Sequence, residues 1–389
     1  MLGFLLARGG LKVVVIEKHG DFLRDFRGDT VHPSTLELMH ELGVLDEFLA
    51  RPHQAVSQFG GGFGDEQIIL ADFSRINQRC KYIAFMPQWH FLDFLAEKAR
   101  QYRGFSLRMN TQAVDLIQEE GRTVGVVART DDGQTLRIKA DLVVGADGRA
   151  SIVRERAKLE VIDIGAPMDV LWMRVSRKLQ DPLETLGRVS AGAIFIMLNR
   201  GDFWQCGLVI PKGGLRALQD EGIESLRRRI ASLAPFTSDR VSELSSWDDI
   251  KLLTVKVDRL RTWYRNGLLC VGDAAHAMSP VGGVGINLAI QDAVAAANIL
   301  YEPLKEGRCS EDDLRRVQER RTFPTRMTQG LQIAIQNVII KPTLESDKPI
   351  SVPWPLRIFQ LVPRARAIPA KIMGVGFRPE HIRTPEVTS

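Results

Sequence analysis

Three apolar runs in this chain each end on a carboxylate. Residues 12–17 read K-V-V-V-I-E, residues 141–147 read D-L-V-V-G-A-D, and residues 267–273 read G-L-L-C-V-G-D. A continuous, β-branched run marks a strand buried on both faces, which occurs in parallel sheets covered by helices. The end of such a strand lies at the carboxyl edge of its sheet, where open α/β folds bind ligands. The spacing therefore predicts an α/β fold in which Glu17, Asp147 and Asp273 converge on one extended ligand.

The segments between these runs alternate in character. Residues 1–8 read as an apolar helix closed by Gly9-Gly10, a usual helix stop. Residues 33–42 form a helix with Pro33 in the first turn and Gly43 just past the end. Residues 88–100 place Phe91, Leu92, Leu95 and Ala99 at helical spacing, and residues 124–140 read as a hairpin turning at Asp131-Asp132-Gly133. Residues 285–300 form an apolar helix. Residues 59–85, with Gly60-Gly61-Gly62, and 165–257, with strands at 170–175, 193–198 and 203–210, are mostly β and belong to a separate layer. The expected division is a discontinuous ligand-binding domain (1–58, 86–164, 258–330), a β-rich substrate domain (59–85, 165–257) and a C-terminal tail (331–389).

Composition narrows the class. With 389 residues, 44% hydrophobic and 25% charged, the chain is ordinary globular material. No uninterrupted apolar run approaches the roughly 18 residues of a membrane-spanning helix. Cys80, Cys206, Cys270 and Cys309 lie far apart, which excludes a disulfide scaffold and a sequence-evident zinc site and suits a reducing cytoplasm. No secretory leader is visible, so the expected location is cytoplasmic. A net charge of +5 suits anionic cofactors and is too small to argue for nucleic acid.

Each candidate has a plainer reading. Glu17 suits a ribose hydroxyl pair, or is a solvated strand-end acid. Asp147-Gly148 is a ligand-edge turn, or only a turn. The most specific segment is residues 266–288, N-G-L-L-C-V-G-D-A-A-H-A-M-S-P-V-G-G-V-G-I-N-L. Here a buried strand meets Gly272-Asp273, then Gly282, Gly283 and Gly285 at the mouth of a helix. Such glycines let backbone N–H groups approach an anion or ring carbonyl, and the helix terminus adds partial positive charge. His276 has no partner at metal-ligand spacing and reads as a packed loop histidine.

In order and spacing, these motifs resemble the group A FAD-dependent monooxygenases, the aromatic hydroxylases of the para-hydroxybenzoate hydroxylase type. The resemblance runs from the first helix to about residue 330. It implies a Rossmann-like FAD-binding domain with an inserted β-sheet substrate domain and a helical C-terminal segment. By the same resemblance Glu17 binds the adenosine ribose, and Arg27 (in R-D-F-R-G-D-T) and Gln88 contact FAD. Asp147-Gly148 serves FAD and NAD(P)H, while Gly272-Asp273 holds the ribityl chain. Pro280, Gly282, Gly283, Gly285 and Asn287 lie beside the flavin ring. The strand and G-x-G-x-x-G that open this fold in the family are absent, so the first strand is expected to be missing, with the true start upstream.

The resemblance further implies that NADH or NADPH reduces FAD, that O₂ adds at the flavin C4a position, and that the hydroperoxide hydroxylates an aromatic or polyketide-like molecule. Trp172, Phe195, Trp204 and Gln205 are candidate pocket walls, though aromatic residues also favour ordinary sheet core. No metal and no nucleic acid is expected. Two alternatives stay open: a same-fold FAD oxidoreductase that does not hydroxylate, and a non-catalytic truncated relative. The absence of W-x-W-x-I-P argues against halogenation. The apolar, basic tail suits membrane-surface contact, but Pro355, Pro363 and Pro369 favour packing across the flavin domain.

Overall fold

In the computed structural model, which describes residues 1–389 apart from 24–28, 65, 183–184, 349 and 388–389, the V-V-V-I run is strand β1 (Val13–Ile16). Helix α1 (Leu2–Arg8) leads into it and buries Phe4, Leu5 and Leu6. β1 pairs in parallel with β7 (Phe105–Arg108), Val13 opposite Phe105. The other two acid-ending runs form β11 (Val143–Gly145) and β20 (Leu268–Cys270), parallel neighbours with Gly145 opposite Cys270. β19 (Tyr264–Arg265) extends that sheet.

Smaller sheets surround these ladders. β2 (Thr30–Val31) and β3 (Gln54–Val56) flank β6 (Ile83–Phe85). β8 (Thr111–Glu119), β9 (Arg122–Thr130) and β10 (Thr135–Lys139) form an antiparallel meander, and β12 (Val161–Asp163) pairs with β18 (Asp258–Leu260). A seven-stranded sheet has the order β17-β13-β16-β15-β14-β4-β5. Its members are β4 (Gln58–Phe63), β5 (Glu66–Asp72), β13 (Met168–Ser176), β14 (Leu186–Ser190), β15 (Ala193–Asn199), β16 (Phe203–Pro211) and β17 (Lys251–Leu253). The fold is mixed α/β.

The helices supply the layers. α2 (Pro33–Glu41), α3 (Leu45–Leu49) and α4 (Gln88–Ala99) pack with α1 against α8 (Gly285–Lys305), around Leu5, Leu36, Phe48 and Phe94. α5 (Ile152–Arg156) and α9 (Glu311–Ile335) cover β11 and β20 from other directions. Leu2 and Leu304 touch both cores and join them. Burying each such large side chain contributes about 1.5–3 kcal/mol. Val281–Lys305 has the length and apolarity to cross a membrane, a feature the search for uninterrupted apolar runs passes over, yet 61% of its most apolar window is buried inside the protein. It is a core helix.

The seven-stranded sheet has two distinct faces, because successive side chains on a strand point opposite ways. Phe195, Met197, Trp204 and Leu208 face α7 (Ile223–Leu233), meeting Leu226 and Ile230; α6 (Leu215–Glu221) lies just before it, separated by Gly222. Val170, Trp172, Ile194 and Val209 face the other way, toward Val281, the end of α9 and the π turn Gln336–Ile340. The tail continues through α10 (Lys341–Leu344), α11 (Trp354–Leu361) and α12 (Ala367–Gly374), short helices as its prolines dictate.

Candidate functional site

The β11–β20 pairing brings two of the three carboxylates to one sheet edge. Val271 donates its N–H to the Gly145 carbonyl (2.9 Å), so the Asp147 and Asp273 turns leave adjacent strands side by side. Arg149 lies between them, its guanidinium 4.0 Å from Asp273 and donating to the Thr254 carbonyl. Asp147 is committed to its own helix: its oxygens accept from Ser151 Oγ and from the Val153 N–H (3.1 Å), and Ser151 in turn caps α5. Arg154, which the sequence reading missed, ties the two turns together by donating to the Arg149 and Ala274 carbonyls and pairing with Asp258. Its signal was the N-cap Ser151 three residues before it.

The glycine loop is held from two sides. From the front, Thr30 Oγ1 donates to the Gly283 carbonyl (2.9 Å), and His32 sits between the carbonyls of Met373 (2.8 Å) and Gly283 (3.2 Å). Ser34 (3.0 Å) and Thr35, in the first turn of α2, donate to Asn287 Oδ1. Both hydroxyls on that oxygen orient the amide so that Nδ2 remains as a donor. Burial pushes the His32 imidazole pKa down to about 4, against the pull of the two carbonyls. Gly283 has φ +63, and a Cβ there would lie 2.6 Å from Thr30 Oγ1. Only glycine fits without displacing the threonine.

From behind, three buried glutamines of α9 and the following turn hold the loop's polar backbone. Gln329 donates to the Asp258 and Ala277 carbonyls, Gln332 to those of Ser279 and Val281, and Gln336 to Ser279 Oγ. Gln332 also accepts the Ser279 N–H (3.2 Å). Spacings of three and four put all three on one helix face. Sequence reading missed them because glutamine ordinarily reads as a solvent-facing helix former.

The remaining candidates fall as follows. Glu17 stands at the end of β1, half-buried, and accepts the His19 N–H (3.0 Å); no ladder hydrogen bond joins β1 to β11 among the described residues. Arg27 lies outside the described residues. Gln88 opens α4 and donates its backbone N–H to Asp29, which pairs with the buried Arg200. Gln205 accepts from Arg200 Nε (3.0 Å), so this pair links the seven-stranded sheet to the segment around Asp29. Trp172 lies over Gly207 on the sheet face shared with Val281. Phe195 and Trp204 lie on the opposite face, packed under α7, where Phe195 lines a separate cavity with Gly187, Leu233 and Phe236, so the four pocket candidates do not share one wall. Strand alternation is the physical reason. His276 is buried as expected, but it is paired with Asp292.

The residues present fit the sugar-alcohol and ring parts of FAD. Helix α8 begins with no side-chain cap, which leaves N–H groups and partial positive charge for a ligand. A Cβ on Gly285 would meet nothing nearer than 3.8 Å, and Gly282, with φ +78, nothing nearer than 3.6 Å. Asp273 presents a partly exposed carboxylate. For the diphosphate, the sequence offers no G-x-G-x-x-G.

A family profile described as an FAD binding domain matches residues 1–330. The 6-methylpretetramide 4-monooxygenase of Streptomyces rimosus is 33% identical over 339 residues, 85% of this chain and 79% of that protein. Rifampicin monooxygenase of Streptomyces venezuelae is 29% identical over 309 residues, covering 75% of this chain and 60% of its own length. Several of the curated relatives thus extend well beyond the matched part. Among solved structures, the anhydrotetracycline hydroxylase OxyS of Streptomyces rimosus superposes with a TM-score of 0.74 at 22% identity, covering 96% of this chain and 72% of OxyS. That likeness shows a shared fold.

Proposed function

This chain belongs to the FAD binding domain family, and from that premise we propose that it is an FAD-dependent monooxygenase using NAD(P)H and O₂ to hydroxylate an aromatic or polyketide-like small molecule. One observation carries the reading. Val281 of the glycine loop shares an apolar cluster with Trp172 and Ile194 of the seven-stranded sheet, so the cofactor-ring loop and a substrate wall adjoin. The relative named 6-methylpretetramide 4-monooxygenase, 33% identical, supports the substrate class.

Bound FAD would supply the redox chemistry, taking reducing equivalents from NADH or NADPH and delivering oxygen from O₂. The chain's own groups bind and orient. Asp273 accepts hydrogen bonds from ribityl hydroxyls, with Gly272 holding the turn against α8. The uncapped start of α8 and the loop Pro280, Gly282, Gly283 and Gly285 stabilise negative charge on the ring. Asn287 donates through Nδ2 to a ring carbonyl. Glu17 takes the adenosine ribose, Gln88 and Arg27 the domain seam, and Asp147-Gly148 the edge shared with NAD(P)H. Trp172 and Gln205 form the substrate wall, and the aromatic bulk of Trp172 helps exclude water.

The division into an FAD domain (1–58, 86–164, 258–330), a substrate domain (59–85, 165–257) and a tail is part of the proposal. So is an FAD-domain sheet one strand short. Among the described residues, β1 pairs only with β7 and β11 only with β20 and, where Val14 is 46% exposed, β1 offers an open edge. One more parallel strand would satisfy both edges.

The test is direct. Purified protein should carry yellow flavin and oxidise NAD(P)H faster with its substrate, and ¹⁸O₂ should label the product. Asp273→Ala should lower flavin content; a variant with full flavin content would remove the role given to Asp273. Stimulated NAD(P)H oxidation without ¹⁸O in any product would favour the non-hydroxylating oxidoreductase.

A second reading concerns the tail. Residues 348–379 carry Lys348, Arg357, Arg364, Arg366, Lys371 and Arg378 and no acid, while Trp354 and Leu361 are 84% and 81% exposed. Basic charge beside exposed aromatic and aliphatic side chains suits an anionic bilayer surface. Flotation with vesicles containing phosphatidylglycerol, and none with phosphatidylcholine alone, is the expected result.

A further inference from the structure

Residues 377–387 run without helix or strand as a strap over the flavin-side helices. Arg8 on α1 donates to the Thr384 carbonyl, and Glu41 at the end of α2 accepts the Ile382 N–H. Asn298 on α8 binds His381 and Arg383. Among the described strap residues, Glu380 and Thr384 are buried, and Glu380 carries the charge. Glu380 is 4% exposed, its N–H donates to Gln291 of α8, and its carboxylate meets Arg320 (2.7 Å) and Arg321 (3.3 Å) of α9.

Arg321 is fully buried and divides its guanidinium between two carboxylates. Nε donates to Asp292 Oδ1 (2.8 Å), Nη1 to Glu380 (3.3 Å) and the Arg378 carbonyl (3.4 Å), and Nη2 is buried without a hydrogen-bond partner. The other oxygen of Asp292, also fully buried, accepts from His276 Nε2 and from the Gly272 N–H (3.1 Å). Burial alone would raise the Asp292 pKa, but His276 and Arg321 hold it below the usual carboxylate range. A chain of contacts therefore runs from the strap, through Arg321 and Asp292, to the backbone of the residue before Asp273.

We propose that Glu380 is a positioning residue for the Gly272–Asp273 turn, acting through Arg321 and Asp292, so that the C-terminal strap sets how tightly that turn holds FAD. The proposal rests on the cofactor reading above. The physical reason is the guanidinium fork. Arginine prefers a bidentate grip on a carboxylate, and Arg321 is kept from closing on Asp292 because Glu380 takes its other arm. Without the Glu380 charge, the rigid guanidinium rotates as a unit, bringing Nη2 onto Asp292 Oδ2, where it competes with the Gly272 N–H. The turn then loses its anchor although every residue of the turn is intact.

The experiment is hydrogen exchange on the full chain without added flavin, followed by FAD titration, for wild type, Glu380→Gln and Glu380→Asp. In Glu380→Gln, amide exchange across residues 270–277 should rise about tenfold and the FAD dissociation constant should rise about tenfold. Glu380→Asp, which restores the charge, should recover most of both. Arg320→Gln, which loosens Glu380 from its more exposed side, gives a milder change in the same direction and serves if Glu380→Gln fails to fold. A lowered unfolding midpoint with wild-type exchange at 270–277 in both Gln variants overturns the proposal, as does an unchanged FAD constant despite faster exchange. If wild type takes up no FAD while exchange at 270–277 still rises in Glu380→Gln, the turn-positioning role stands and the cofactor reading falls.

Discussion

Acidification should weaken this protein through one buried imidazole. His32 is fully enclosed between the carbonyls of Met373 and Gly283. Two acceptors invite an imidazolium, but burial outweighs them and lowers the pKa from 6.5 to about 4. Between those values the unfolded chain binds the proton and the native protein does not, so stability rises with pH there and falls as pH drops. The full difference is about 3 kcal/mol, and about 2 kcal/mol of it is lost by pH 5. The assay is the unfolding free energy from urea titration at pH 8 and pH 5, for wild type and His32→Gln. The variant should lose about 2 kcal/mol less between the two conditions, although at pH 8 it forfeits a hydrogen bond worth about 1 kcal/mol. The comparison between proteins cancels the other titrating groups. Equal pH dependence in both proteins would refute a neutral, enclosed His32.

Other perturbations have defined outcomes. Gly207→Ala places a Cβ 2.9 Å from the Trp172 ring; thermal unfolding should report a loss of about 1–3 kcal/mol, with a changed near-ultraviolet tryptophan signal. Gln332→Leu orphans the buried Ser279 N–H and carbonyl and the part-buried Val281 carbonyl, and should cost about 2–6 kcal/mol at about 1–3 kcal/mol for each of the two buried groups, with faster amide exchange at Ser279. Asp181→Asn removes the charge of the buried pair with Arg240, a loss of about 3–5 kcal/mol in denaturant unfolding. Arg240 holds the Asp181 carboxyl down to about 2, despite burial that opposes it. In wild type, that stabilisation is fully present above pH 4 and disappears only as pH falls toward 2.

The strands that end in acids were legible because a parallel strand buried on both faces needs no alternation, only a β-branched run bounded by turns. The pocket walls were not legible, for the same reason in reverse. β16 is buried on both sides from Trp204 to Ile210, so no polar alternation told which of Trp204 and Gln205 faced α7 and which faced the loop. Trp172 and Gln205 share the inner face, and Phe195 and Trp204 the outer, by register alone. The glutamines behind the loop carry a helical period but a polar identity, and nothing local marks a glutamine as buried. His276 could be placed as a packed residue, while its partner Asp292 lies sixteen positions on, in the next helix; such pairing is a fact of tertiary structure.

The three carboxylates are unequal in what they have left to offer a ligand. Asp147 uses both oxygens inside the protein, one on Ser151 and one on the start of α5, so its first task is to cap that helix, a contribution of about 1 kcal/mol. Glu17 closes a two-residue turn on His19. Each ionised carboxylate still has about four acceptor sites, so neither is barred from a ligand, but a substitution at either disturbs local structure first. Asp273 differs in that the backbone of its turn is anchored by the Gly272 N–H on Asp292, while its carboxylate faces the Arg149 guanidinium at 4.0 Å. A turn whose backbone is held in this way is the arrangement that binding a sugar-alcohol chain demands, because orientation is then fixed before the ligand arrives. The loop at Gly283 and Asn287 follows the same logic, with threonine, histidine and glutamine side chains satisfying its own polar atoms so that the start of α8 remains open.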